Sequence, residues 1–168
     1  MNWLRLITIA AAVNYAALVG VGILKVIPKT QGLKPFDLRY FGYSYDDAMA
    51  YLSVLRFDTA ELLLGPMRWL DTSFPALFTA TLIGWGWSSS GWASRHIRVL
   101  TVVLPLGYLV LDYLENHLVA KIITGIMPTP EQVSMASSVT VGKFLFVAAC
   151  VVMLSALAYR NTGQEKQI

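Results

Sequence analysis

VLTVVLPLGYLVLDYLENHLVAKII, residues 99–123, is the stretch whose reading decides the fold. It has the length and apolarity of a helix that crosses a membrane, for which about 20 mostly apolar residues suffice. It also carries Asp112, Glu115, Asn116 and His117. A charge at the centre of a bilayer costs about 3 kcal/mol or more, so such a segment spans only if its polar residues turn away from lipid. Asp112, Glu115 and Asn116 stand at i, i+3 and i+4, one side of a helix. That face is predicted to look into a helix bundle or a wet crevice.

Three further stretches extend this reading outward. Leu6–Leu24 is uncharged between Arg5 and Lys25, and Thr72–Ser94 is uncharged between Asp71 and Arg95. Val139–Tyr159 holds one charge, Lys143. The expected fold is all-α: a four-helix transmembrane bundle forming a single integral membrane domain over 1–168, with spans at about 6–25, 71–90, 99–123 and 139–159. The first span resembles a signal peptide in its charged start, but its apolar run has span length, and Ala10–Ala11–Ala12 falls too early for a cleavage site. It reads as an uncleaved helix.

Composition agrees. Of 168 residues, 56% are apolar and 14% charged, where a soluble domain has roughly 25% charged residues. Mean hydropathy is +0.57. One cysteine excludes a disulfide scaffold or a multi-cysteine metal cluster, and two histidines leave little for a histidine metal site. The net charge of +3 is scattered, with no basic run for nucleic acid. Neither a metal nor a cofactor is expected.

Four spans put both termini on one side with the turn near residue 90. That side carries Arg5, Arg95, Arg98, Arg160 and Lys166 at high density. The other side carries more cations, but spread over a long loop and nearly cancelled by acids. The positive-inside rule then favours cytoplasmic termini, with a bacterial inner membrane as the expected location. Trp3, Trp85, Trp87, Trp92 and Tyr159 on one side and Tyr40, Phe41, Tyr43, Tyr45 and Trp69 on the other suit the two interfaces.

The loop over 28–69 is expected to be helical in part. Ser44 with Asp47 three residues on forms an N-cap pattern, followed by an apolar stripe at Ala48, Tyr51, Leu52 and Leu55. Asp58–Thr59 looks like a second cap, before a short helix ending at Gly65–Pro66. Both helices should lie on the outer surface, as an interfacial cover or as a lid over a cavity.

The intramembrane polar residues form the candidate site: Asp71, Asp112, Glu115, Asn116, Lys143 and Asn14. Asp71 is read as opening the second span, with Pro75 in its first turn. At 1.5 Å per residue, Asp112 lies ~3 Å and Glu115 ~8 Å from the midplane on the loop side, and Lys143 ~9 Å on the same side. Lys143 is therefore expected to pair with Glu115 or Asp112, because buried charges survive by pairing. The cluster reads as a polar network that fixes helix register, as a site for a small polar or amphiphilic ligand, as a proton path or as an acid–base site. No nucleophile motif, histidine cluster or phosphate-binding loop accompanies it, so no catalytic residue is assigned. His117, His96 and Cys150 read as interfacial, headgroup-facing and packing residues respectively. Function is expected to be non-enzymatic, that of a structural or accessory subunit or a small binding protein. The alternative is a receptor or membrane enzyme that takes a lipid-like molecule into an acidic cavity. Expected partners are membrane lipid and either a protein partner or further copies of the chain, and no nucleic acid.

Gly42–Tyr43–Ser44 with Asp46–Asp47–Ala48, Asp71–Thr72–Ser73–Phe74–Pro75 and Asp112–Tyr113–Leu114–Glu115–Asn116 resemble a group of small four-span bacterial membrane proteins without an assigned activity. The similarity covers about 36–125. In layout alone the chain is similar to the four-span sterol isomerase and sigma-2 receptor group. That likeness implies a cavity in which Asp71, Asp112 and Glu115 face an amphiphile, although here Lys143 supplies an internal cation.

Overall fold

The computed structural model describes residues 2–91 and 93–165, with side chains over 3–91 and 93–161. Trp92 and Lys166, used above for the interface and for orientation, lie outside the described residues. The described chain is all-helical, with no strand. Helix α1 is Asn2–Val21, α2 Tyr45–Val54, α3 Phe57–Leu64, α4 Pro66–Ser89, α5 Arg95–Thr124 and α6 Pro130–Glu165. Past Val21 the first helix widens into a π-helical turn, Gly22–Val26, and tightens into a 3-10 turn, Ile27–Thr30. By length and composition, Trp3–Thr30, Arg95–Thr124 and Pro130–Asn161 could each cross a membrane. Helix α4 is less apolar, because Thr72, Ser73, Thr79, Thr81, Gly84 and Gly86 interrupt its hydrophobic residues.

Helix α4 packs between α1 and α5, and α5 packs along α6. The Trp85 indole donates to Thr8 Oγ1 (3.0 Å), and Asn161 Nδ2 donates to the Ser89 carbonyl (3.3 Å). Thr8 on α1 and Asn161 on α6 therefore lie at the same end of the bundle as the turn between α4 and α5. Gly86 sits where α4 crosses α5, and an added Cβ there would lie 2.8 Å from Thr101 Cβ.

At the opposite end the chain between α1 and α4 forms a cap. Ser44 and Asp47 make a reciprocal capping box that starts α2, whose Ala48 and Tyr51 are fully buried against Phe36, Ile122 and Val133. Gly42, at φ +85°, is held against α6: a Cβ there would meet Ser137 Oγ at 2.8 Å, and the next residue's N–H donates to that oxygen at 2.8 Å. Only glycine combines that backbone conformation with so close an approach. The Arg39 guanidinium lies 5.6–5.8 Å from the ring centres of Phe36, Tyr43 and Tyr51, which binds the cap's coil to its helix.

Several boundaries differ from the sequence reading. Helix α3 has Arg56, not Asp58, at its N-cap position with no side-chain cap, and Asp58 instead bonds Lys29 at 2.8 Å. Helix α4 starts at Pro66, so Asp71 does not open it and Pro75 lies in its interior. The physical reason is the Gly65–Pro66 pair: glycine ends α3, and proline fits the first helical turn, where no N–H partner exists. Helix α6 starts at Pro130, well before 139, behind a second capping box: Thr129 N–H donates to Gln132 Oε1 (2.9 Å), and Gln132 N–H donates to Thr129 Oγ1 (3.3 Å).

Candidate ligand cavity and buried ion cluster

Asp112 and Glu115 emerge one turn apart on α5, and Thr140 and Lys143 do the same on α6. These four side chains meet in the α5–α6 interface, all buried. Lys143 Nζ lies 3.1 Å from Asp112 Oδ1 and also pairs directly with Glu115 Oε2. The Thr140 hydroxyl donates to Glu115 Oε1, and Asn116 Nδ2 donates to Asp112 Oδ2 at 3.2 Å. The ammonium thus bridges both carboxylates, and protein donors reach each of them.

Asn116 has a second task. Pro75 has no N–H, so the Asp71 carbonyl one turn earlier loses its helical donor. Asn116 Nδ2 approaches that carbonyl at 3.4 Å, and the Tyr113 hydroxyl donates to the neighbouring Thr72 carbonyl at 2.9 Å. Helix α5 thereby supplies donors where proline has opened the backbone of α4.

The Asp71 side chain is half-buried and makes no hydrogen bond or ion pair among the described residues. Asp37 approaches it from the cap, in the 3-10 turn Phe36–Leu38. Burial pushes the Asp37 carboxyl above the ordinary carboxylate range, against the opposing pull of Lys143. Asn14 stands apart from the cluster: it faces α4 and donates to Ser73 Oγ at 2.6 Å. The grouping of Asn14 with the α5–α6 charges does not hold, because its position around α1 turns it toward α4.

Beside this cluster lies a cavity of about 690 Å³. A stripe of the first helix lines it, from Thr8 through Ala11, Ala12, Tyr15 and Leu18 in α1 to Ile23 in the π-helical turn, over a length of ~22 Å. Helix α4 contributes Phe74 and Phe78, and α6 contributes Phe144 and Val147. Helices α1 and α6 do not pack on each other as α4, α5 and α6 do, so the void occupies the seam between them. The walls are mainly apolar. The charged side chains gather toward the cap, where Asp37, Asp71, Asp112 and Lys143 reach the surface of the void and Lys34 lines its rim, while Thr8 and Thr81 bring hydroxyls to it farther along the helices. A smaller cavity of about 60 Å³, lined by Arg68, Asn116 and Tyr51, shares Asp37 and Asp71 with it. The two carboxylates therefore line both cavities.

Of the residues singled out from sequence, Asp112, Glu115, Asn116 and Lys143 are joined directly and Asp71 through its backbone. Thr140 was legible as a partner, since it precedes Lys143 by three residues as Asp112 precedes Glu115. Asp37 carried no such signal, because it sits in an irregular segment with no period. His117 and His96 are exposed and Cys150 is buried. Among the described residues, no three His, Cys, Asp or Glu side chains converge on a metal-binding geometry. The chain matches no protein-family model, no curated protein and no solved structure.

Proposed function

We propose that the chain is a non-enzymatic integral membrane protein of four spans that holds a lipid-like amphiphile in the cavity between α1 and α6. The observation that carries this reading is the cavity itself. Its 690 Å³ lies within the 300–1,000 Å³ typical of small-molecule sites, and its apolar walls with a few convergent polar groups are what such sites use. Its position against α1 and α6, whose outer faces expose Leu6, Ile9, Val13, Leu145 and Val152, suits arrival from the bilayer.

Helix α4 is the fourth span in this proposal. It lies between two apolar helices and so shares their depth. Its exposed large hydrophobic residues are Trp69 near one end and Trp85 and Trp87 near the other. Their separation along the helix is ~24–27 Å, close to the ~30 Å of a hydrocarbon core, and tryptophan favours both interfaces. Arg5, Arg95, Arg98 and Arg160 at the other end of the bundle from the cap support cytoplasmic termini in a bacterial inner membrane.

A second reading, an accessory subunit whose ion cluster only fixes helix register, is favoured by how fully Lys143, Asp112 and Glu115 satisfy one another. Mild purification followed by mass spectrometry of co-purifying lipids and proteins separates the two. The proposal expects a defined lipid that is depleted when Ala12→Phe fills the cavity. Bulk membrane lipid alone, together with a stoichiometric partner protein, would support the accessory role instead.

A further inference from the structure

The polar level of the cavity restricts the head of the ligand, a step that rests on the amphiphile reading above. Lys143 is the cation that reaches this level from within the bundle, and its charge is already opposed by two carboxylates. Asp112 and Glu115 receive Lys143, Asn116 and Thr140 as donors. Asp71 receives none, and Asp37 overhangs it from the cap. Lys34, on the rim, is exposed. Of the carboxylates at this end of the void, Asp71 is therefore the one whose acceptor capacity is left unfilled. A ligand head seated in the void takes water from half-buried Asp71, and a donating head replaces the hydrogen bonds so lost. A phosphate or carboxylate head would bring a further anion to Asp37, Asp71 and Asp112, with a lysine that is already spent. That arrangement rejects by repulsion as well as selecting by attraction.

From this geometry we infer that the cavity selects amphiphiles with hydrogen-bond-donating heads, hydroxyl or ammonium, seated on Asp71 beneath Asp37, and turns away lipids headed by phosphate or carboxylate. The amphiphile's tail then follows the apolar stripe of α1 away from the cap.

The test uses the full chain in a neutral detergent and four probes of sixteen carbons each: hexadecanol, hexadecylamine, palmitate and hexadecyl phosphate. Native mass spectrometry reads the fraction of protein carrying each probe over a titration. The alcohol, the amine or both should bind at least tenfold more tightly than the acid and the phosphate. Binding of the alcohol alone assigns a neutral donor, and binding of the amine alone assigns a cation held by an ionised carboxylate. Asp71→Asn should weaken the amine at least fivefold, while Asp46→Asn, on the far side of the cap, should leave it unchanged. Palmitate or the phosphate binding as tightly as the donors overturns the inference yet leaves the cavity occupied, provided Ala12→Phe abolishes that binding. Adducts of all four probes that are indifferent to Ala12→Phe overturn the cavity reading together with this one. The ranking of heads on the unaltered protein decides the matter even if Asp71→Asn fails to fold.

Discussion

Helices α5 and α6 meet through a charged core, whereas α1, packed on α4, faces α6 across a large void. On the closed side two carboxylates, a lysine and a threonine are interlocked, and each charge is compensated at contact distance. On the open side apolar residues of α1 face a space they do not fill. The contrast separates two uses of buried polar chemistry. Charge pairs that complete one another fix how helices fit, because breaking one leaves an uncompensated charge. A carboxylate left at the edge of a void, as Asp71 is, keeps its acceptor capacity for something else. Conformational tolerance should divide along the same line: substitutions on the closed side should cost stability, and substitutions on the open side should cost occupancy.

The largest expected effect breaks the closed side. Lys143→Met should destabilise the protein by about 3–5 kcal/mol, read as a lowered midpoint of thermal or denaturant unfolding by circular dichroism in detergent. Combining it with Glu115→Gln and Asp112→Asn should restore part of the loss. A Lys143→Met protein as stable as the parent would mean that the pair contributes nothing. Next comes a matched pair of enlargements. Gly86→Ala presses a methyl group onto Thr101 and should cost about 1–3 kcal/mol by overpacking, offset by up to ~1 kcal/mol of helix propensity. Ala12→Phe, which points into the void, should change stability by less than ~0.5 kcal/mol. Equal costs at the two positions would erase the distinction between the sides. Asn116→Ala withdraws the donor from the Asp71 carbonyl and from Asp112, and should cost about 1–3 kcal/mol.

The smallest effect concerns the cap. Ser44→Ala should cost about 1 kcal/mol, measured as faster hydrogen exchange in Tyr45–Val54 with the spans unchanged. Hydrogen bonds from the Ser44 backbone and hydroxyl hold the Asp47 carboxyl below its ordinary value of 3.8. A depressed acid stabilises the fold above its unfolded pKa. This contribution should therefore be complete at neutral pH and fade as pH falls below 3.8 toward the lowered folded value. Protection of α2 that rose on acidification would contradict the capping role.

The parts legible in sequence are those governed by local spacing. The Ser44–Asp47 box depends on a three-residue offset, and it is present. The meeting of Lys143 with Asp112 and Glu115 follows from depth along two antiparallel helices, so the rise per residue suffices to find it. The role of Asn116 was hidden because it depends on where α4 begins. With the helix capped by the Thr72 or Ser73 hydroxyl, Pro75 falls among the first three positions and costs no backbone bond; with the start at Pro66, it orphans the Asp71 carbonyl. The Thr129–Gln132 box was visible in the string Thr129–Pro130–Glu131–Gln132, but the apolar run downstream drew the helix boundary to 139. Asp37 and the void could not be read at all. A void is the absence of packing, set by how four helices and a cap come together, and a residue in irregular coil has no periodicity to aim it.

The π-helical turn at Gly22–Val26 has a consequence for the cap. Such a turn carries one residue more than an α-helical turn, and each residue advances the phase of a helix by about 100°. The stripe Thr8–Ala11–Tyr15–Leu18 reaches this turn facing the void, and Val26 at the end of the turn and Thr30 beyond it are fully buried. Thr30 is fixed there by its hydroxyl on the Leu33 carbonyl at 2.8 Å, and Lys29 beside it reaches Asp58 on α3. Deleting one residue from 22–26 would shorten the rod by only ~1.5 Å, but it would swing everything after it through about 100°. Thr30 would turn outward, Lys29 would leave Asp58, and Asp37 would no longer come over Asp71. The segment between span and cap is therefore constrained more tightly in its residue count than in its composition.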